Sequence, residues 1–369
     1  MGLRSTSRPR RRRSARGLSC ASTAARPDAS SAYRPQFHQK GRITMSRLGL
    51  TIPLEGTALA QQQCHLDTIE GGGFTDLWSA EASGADAFTP LVAAAVSHPG
   101  FRLGTAIASA FTRGPALIAM SAAALADVAQ GDVAVGIGAG SDVIVEKWNG
   151  LKFQAPFQQV RDVVSFVRRA LTGERIDMVC DSFRIDGFRL ERVPRRQPKL
   201  LIAALRPGML RLAGAISDGA IVNWLAASDV PRVERCVRST GSDAEIVARL
   251  FVVPSEDVAL VRATARRAIA AYLNVPVYAE FHRWLGRGDQ LEPMWAAWQS
   301  GDRAAALAAI PEAVIDDLFI YGSPNDIATR TREYVDAGVT TPVLAIMPAK
   351  GQPSPSPEAI ASIGRAFTG

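Results

Sequence analysis

The chain has 369 residues, 47% hydrophobic and 21% charged, enough for one large domain with a sizeable core. Its formal charge of +7 misleads about partners: residues 1–44 hold ten Arg and one Lys against one acid, a net +10, which leaves −3 for residues 45–369. That balance excludes a basic nucleic-acid face over the main body, and no apolar run reaches the ~18 residues of a membrane span.

In chain order, residues 1–44 come first. Arg10 to Arg13 run together among Ser, Ala and Pro, with almost nothing apolar to bury, so the segment reads as a disordered basic extension. A twin-arginine signal would need an apolar stretch after the arginines, and Ser14 to Arg26 offers only Leu18 as a large aliphatic residue. A nucleic-acid-binding arm is the weaker alternative. Met45 opens a natural start into the first strand, so the folded domain is expected over 45–369.

From there, short apolar runs alternate with helical patterns. Strands are expected at Leu48–Pro53, Asp76–Ser79, Arg102–Ala108, Val133–Gly138, Lys199–Ala204, Gly219–Asn223, Ile246–Val253 and Pro342–Met347. Several are nearly continuous in Val, Ile, Leu and Ala, as parallel strands covered on both faces are. Helices are expected over Thr57–Glu70, Gly114–Asp127, Pro156–Leu171, Pro207–Ala215, Val230–Ser239, Glu256–Leu273 and Pro324–Ala337, with Pro156, Pro207 and Pro324 at first-turn positions. Eight strands with intervening helices give an α/β fold, a (β/α)8 TIM barrel. The competing doubly wound sheet should carry GxGxxG after its first strand, which is absent. Two insertions interrupt the alternation: a hairpin pattern over 175–193 and a Trp-rich helical stretch over 274–322, expected to cover the pocket.

Cys20, Cys64, Cys180 and Cys236, with His38, His65, His98 and His282, show no CxxC, HxxxH or HExxH spacing. A zinc site and a disulfide framework are therefore not expected, and a reducing cytoplasm fits best.

Barrel active sites lie at the C-terminal ends of the strands. Glu81 ends strand two; a carboxyl there in apolar surroundings can carry a proton, and its competing reading is a capping or salt-bridging acid. The segment Gly104–Pro115 leaves strand three, with small residues that let a planar ring approach and Arg113 for a carboxylate, phosphate or rim ion pair. Gly136, Gly138, Gly140 and Ser141 follow strand four, where alternating glycines expose backbone N–H groups. Ala203, Ala204, Leu205 and Arg206 lead into a helix at Pro207, whose free N–H groups with Arg206 make the best phosphate seat in the chain.

Together these stretches, most specifically Thr112–Met120, Gly136–Gly150, Ala203–Gly214 and Ala337–Pro342, resemble the luciferase-like monooxygenase superfamily and its coenzyme F420-dependent oxidoreductases. The resemblance covers about Leu48 to Phe367. It implies a bacterial luciferase-like barrel with a deazaflavin (F420), or alternatively FMN, across its mouth. A non-proline cis peptide is implied behind the ring, at Ala106–Ile107. Arg113, the Gly136–Ser141 loop and the Ala203–Arg206 turn would contact the cofactor. Hydride transfer to or from a small organic substrate follows, with Glu81 handling the proton. The alternatives are an FMN monooxygenase or a non-catalytic flavin-binding protein. The glucose-6-phosphate dehydrogenases of this family have a histidine and a glutamate where this chain has Glu81 and Ser141, which argues against that activity. Family members often dimerise, so a homodimer is an expectation that no segment singles out; neither nucleic acid nor membrane is expected as a partner.

Overall fold

The computed structural model describes residues 47–369; the extension assigned to 1–44 and the start at Met45 lie outside the described residues. The first half runs β1 (Gly49–Ile52), α1 (Gln62–Glu70), β2 (Asp76–Ser79), α2 (Thr89–Ser97), β3 (Arg102–Ser109), α3 (Pro115–Val128), β4 (Val133–Gly138) and α4 (Pro156–Ala170). A hairpin, β5 (Ile176–Val179) and β6 (Arg184–Phe188), precedes β7 (Lys199–Ala203), α5 (Pro207–Ile216), β8 (Gly219–Asn223), α6 (Val230–Val237) and β9 (Glu245–Val253). Four helices follow, α7 (Val258–Leu273), α8 (Pro276–Leu285), α9 (Gly288–Gln299) and α10 (Arg303–Ala308), then α11 (Glu312–Leu318) and β10 (Phe319–Tyr321). The chain ends with α12 (Pro324–Asp336), β11 (Thr341–Ile346) and α13 (Pro357–Thr368).

Strands β1, β2, β3, β4, β7, β8, β9 and β11 pair in that order, and β11 returns to β1, closing a parallel TIM barrel. All eight are the strands expected from the sequence, within a residue or two at each end. The hairpin forms as expected, and its Phe183 and Phe188 pack on Phe166 of α4. Three elements escaped the pattern reading. Helix α2 is so rich in Ala and Val that no polar face marks it, α13 lies beyond the last strand, and β10 is three residues long.

β10 joins the edge of β9 that β8 has vacated. β8 pairs with β9 as far as Asn223–Arg249, then Trp224 turns away with φ +54, and β10 takes over from Phe319–Phe251 onward. A non-glycine residue in the left-handed region needs support from its surroundings; Trp224 has it, stacked 4.1 Å from Phe251.

Inside the barrel, Trp78, Leu201, Ile221, Val247 and Val343 form one buried layer. Trp78 takes the space that several side chains would fill: a Cβ on Gly104 would fall 2.3 Å from its ring, and one on Gly49 2.9 Å away. Below this layer, at the N-terminal end, Arg102 makes a fork to Glu245 (2.6 and 2.8 Å) and reaches Asp76 at 3.2 Å, while Thr341 Oγ1 donates to Glu245 at 2.8 Å. Burial raises the Asp76 carboxyl above its usual value. Burial would raise Glu245 too, but the Arg102 fork and Thr341 outweigh it and hold that carboxyl low.

Candidate active site

Two residues further along each strand than the Trp78 layer, strand alternation places Thr51, Ala80, Ala106, Gly138, Ala203, Asn223, Arg249 and Ala345 around the C-terminal mouth. The arc over β3, β4 and β7 is built from very small side chains. Along β3 the ladder to β4 slips between Thr105 and Ala108, so a bulge pushes Ala106 and Ile107 out of register. They are the only two residues of β3 that are not buried. The bond between them is cis, at the position the resemblance implied.

Gly138 and Ala203 lie against that bulge. A Cβ on Gly138 would meet the Ala203 Cβ at 2.9 Å and Ile107 Cγ1 at 3.0 Å. The glycine turn after β4 and the helix start after β7 therefore open on one mouth, as adjacent parallel strands require.

The glycines divide by role. Gly136 sits one layer deeper than expected: its Cβ would fall 2.2 Å from both Ile221 Cδ1 and the Thr105 carbonyl, so it serves barrel packing. Gly140 holds φ +74 and turns the chain outward. Ser141 opens the π-helical turn Val143–Trp148, accepting from Ile144 N–H on its hydroxyl and from Val145 N–H on its carbonyl.

At the phosphate seat, Arg206 is exposed and Pro207 begins α5, leaving Gly208 and Met209 N–H without intrahelical acceptors. Ala204 does not share in this: it is buried, and its N–H is spent on the Ile221 carbonyl at 2.9 Å. Leu205 is half-buried at the turn.

Glu81 is not in the apolar surroundings expected for it. Its Oε1 accepts from Arg113 Nε at 2.8 Å and lies 2.7 Å from Nη2, and its Oε2 accepts from Ser109 N–H at 3.2 Å. The salt-bridging reading is the one observed, and the two candidate residues pair with each other through Oε1 of Glu81. Arg113 also reaches Asp86 at 3.1 Å and lies over Phe88. The Glu81 N–H donates to the Ile107 carbonyl at 3.2 Å, so Glu81 brackets the bulge from backbone and side chain at once.

The Trp-rich insertion does not line the pocket with its tryptophans. Trp295 is buried in the cluster that also holds Trp224 and Phe251 and donates to the Leu273 carbonyl, while Trp284 and Trp298 carry Arg232 and Arg303 on their faces. Tyr272 and Tyr278 instead join the buried Trp224 and Phe251 in an aromatic wall beside Arg249. Sequence reasoning also missed Arg249. It stands alone in the apolar run Ile246–Val253, at the inward parity of Val247, and that lone charge was the available signal.

The pattern of the luciferase-like monooxygenase family matches residues 40–341, and the chain belongs to that family. The chain is an enzyme of this oxidoreductase class, and its barrel is the fold of that class. A Mycobacterium tuberculosis protein named among the coenzyme F420-dependent oxidoreductases is 26% identical over 331 residues, 81% of this chain and 94% of that protein. The F420-dependent tetrahydromethanopterin reductase of Methanopyrus kandleri superposes with a TM-score of 0.68 at 22% identity, covering 87% of this chain and 97% of its own. The FMN complex of a type II Baeyer–Villiger monooxygenase component from Pseudomonas putida does so with a TM-score of 0.60 at 15% identity, covering 88% and 98%.

Proposed function

We propose that this protein uses a deazaflavin, coenzyme F420, to move hydride to or from a small organic substrate. The observation that carries the reading is the ledge at Ala106–Ile107, half-exposed in an otherwise buried strand and kept open by Gly138 and Ala203. The ledge fits a planar tricycle, because the one position where a side chain would crowd it is glycine. The name borne by the M. tuberculosis relative supports the same cofactor.

In this reading Ala106 and Ile107 back the ring, and the turn at Gly140–Ser141 contacts its side chain. Arg206 with the Gly208 and Met209 N–H groups holds the phosphate, since helix N-termini favour anions. When bound, a deazaflavin supplies a two-electron carrier that exchanges hydride with an electrophilic carbon. Glu81 and Arg113 fix the bulge so that the ledge keeps its shape. The Glu81 Oε2, with one hydrogen bond from Ser109, retains a lone pair for a proton at the mouth. The aromatic wall excludes water from the space above the ledge.

The second reading is an oxygenase using reduced FMN, favoured by the FMN-bound P. putida barrel of the same fold. Equilibrium titration of the purified protein with oxidised F420 and with FMN, followed by fluorescence, separates the two. Saturable F420 binding at least tenfold tighter than FMN is expected. The reverse preference would replace this reading with the second.

A further inference from the structure

Arg249 projects into the mouth from β9. Going round the barrel, β9 lies four strands from β3 in either direction, so Arg249 faces the Ala106–Ile107 ledge from the opposite side. It is the one charged side chain among the eight inward-facing residues at this level. Among the described residues only one of its five N–H donors, at Nε, has a partner, Thr51 Oγ1 at a long 3.4 Å. Among the described residues no carboxylate pairs with it. The surrounding protein desolvates the guanidinium and pulls its pKa below the usual value, with Tyr272 and Tyr278 pushing the other way.

The guanidinium is half-buried and has no counter-charge, so an anion entering the mouth would find its donors unspent. Its neighbours define what that anion is attached to. The guanidinium carbon lies 5.2 Å from the centre of the Phe251 ring, and Trp224 and Tyr272 continue that aromatic wall. Asn223, paired with Arg249 across β8 and β9, lies 3.5 Å from the Tyr278 hydroxyl and adds neutral polar groups beside the cation.

We propose that Arg249 is the anchor for a substrate carboxylate, and that the substrate is a flat, unsaturated monocarboxylate lying between the aromatic wall and the ledge. The guanidinium fork matches a carboxylate with two parallel hydrogen bonds. A phosphate dianion would call for a second cation at the same level, and none is there. This substrate class rests on the cofactor reading above: the carboxylate is held on one side of the mouth so that the unsaturated carbons reach the ring seated on the other.

The test is calorimetric binding of trans-cinnamate and of its neutral isostere cinnamamide to the full chain, with and without oxidised F420. The wild-type protein binds cinnamate at least tenfold tighter than the amide. Arg249→Met reduces that preference to within twofold and leaves the F420 Kd within threefold and the melting temperature unchanged. Should Arg249→Met fail to accumulate as folded protein, Arg249→Lys carries the same test, with the preference falling at least threefold. No acid preference in the wild type, or a preference that survives these substitutions, overturns the assignment. So does a loss of F420 affinity in proportion, which would make Arg249 a cofactor contact. Acid preference without any F420 binding would instead remove the cofactor reading and leave the carboxylate site standing.

Discussion

Two arginines mark the two ends of the barrel interior, and they are placed under opposite conditions. Arg102, at the N-terminal end, is saturated by Glu245 and Asp76 and lies over the Trp78 ring. Arg249, at the C-terminal end, has one weak contact to a hydroxyl. Between them the Trp78 layer is packed solid, so neither charge senses the other end through water. The contrast locates stability below and function above, as barrels generally divide them: a buried charge that the fold has already neutralised serves the fold, and one left over serves a ligand.

The largest effect that could break this contrast is at the lower end. Arg102→Met should cost about 3 kcal/mol, because Glu245 and Asp76 would lose their buried cation and keep only the more exposed Lys199 and Arg47. Denaturant unfolding measures it, and a loss under about 1 kcal/mol would mean that the plug is not held by charge. At the upper end the same substitution of Arg249 leaves no partner stranded, and the unchanged melting temperature expected above is the other half of the comparison.

A second test sharpens the upper half through His282, fully buried beside Phe281. Burial, reinforced by the positive charge of Arg287, lowers its pKa to about 3. The folded state therefore binds fewer protons than the unfolded state between about pH 3 and the ordinary histidine value near 6.5. Stability is complete above that value and falls as the pH drops through the window, by about 2 kcal/mol from pH 6.5 to pH 5. His282→Phe should flatten this slope whatever it does to absolute stability. Thermal melts of both proteins across that range, showing equal slopes, would place the acid sensitivity elsewhere.

The smallest expected effect concerns Glu81, which stands at the mouth but is paired like a residue of the lower end. Glu81→Gln keeps the Ser109 contact and weakens the Arg113 pair, which at partial exposure is worth about 1 kcal/mol. If Glu81 shapes the ledge, F420 affinity falls about three- to fivefold and turnover falls with it. Abolished turnover at unchanged affinity would instead assign it the proton.

The barrel was readable because its strands are continuous apolar runs, which a parallel strand covered on both faces must be. The glycine turn and the helix start at Pro207 were readable because backbone chemistry is written in Gly and Pro. What the pattern could not carry was pairing across distance. Glu81 and Arg113 each looked like a free functional group, and only the convergence of β2 and β3 makes them one another's partner. Gly136 and Gly138 look alike in sequence, yet their depth in the barrel separates packing from the ledge. The tryptophans of 274–322 suggested a pocket wall by their number, whereas Trp295 fills a core shared with the barrel and Trp284 packs against the main core.

The handover from β8 to β10 along one edge of β9 has a further consequence. The excursion that holds α7 to α11 departs from the end of β9 and returns as a strand hydrogen-bonded to that same end. Its two chain ends meet the scaffold at one strand edge, while Arg287 ties it to Asp229 and Phe281 packs into the barrel core. Exchanging it for another of different length that keeps the Asp229 contact would change the helices beside the mouth while the eight closing strands keep their register.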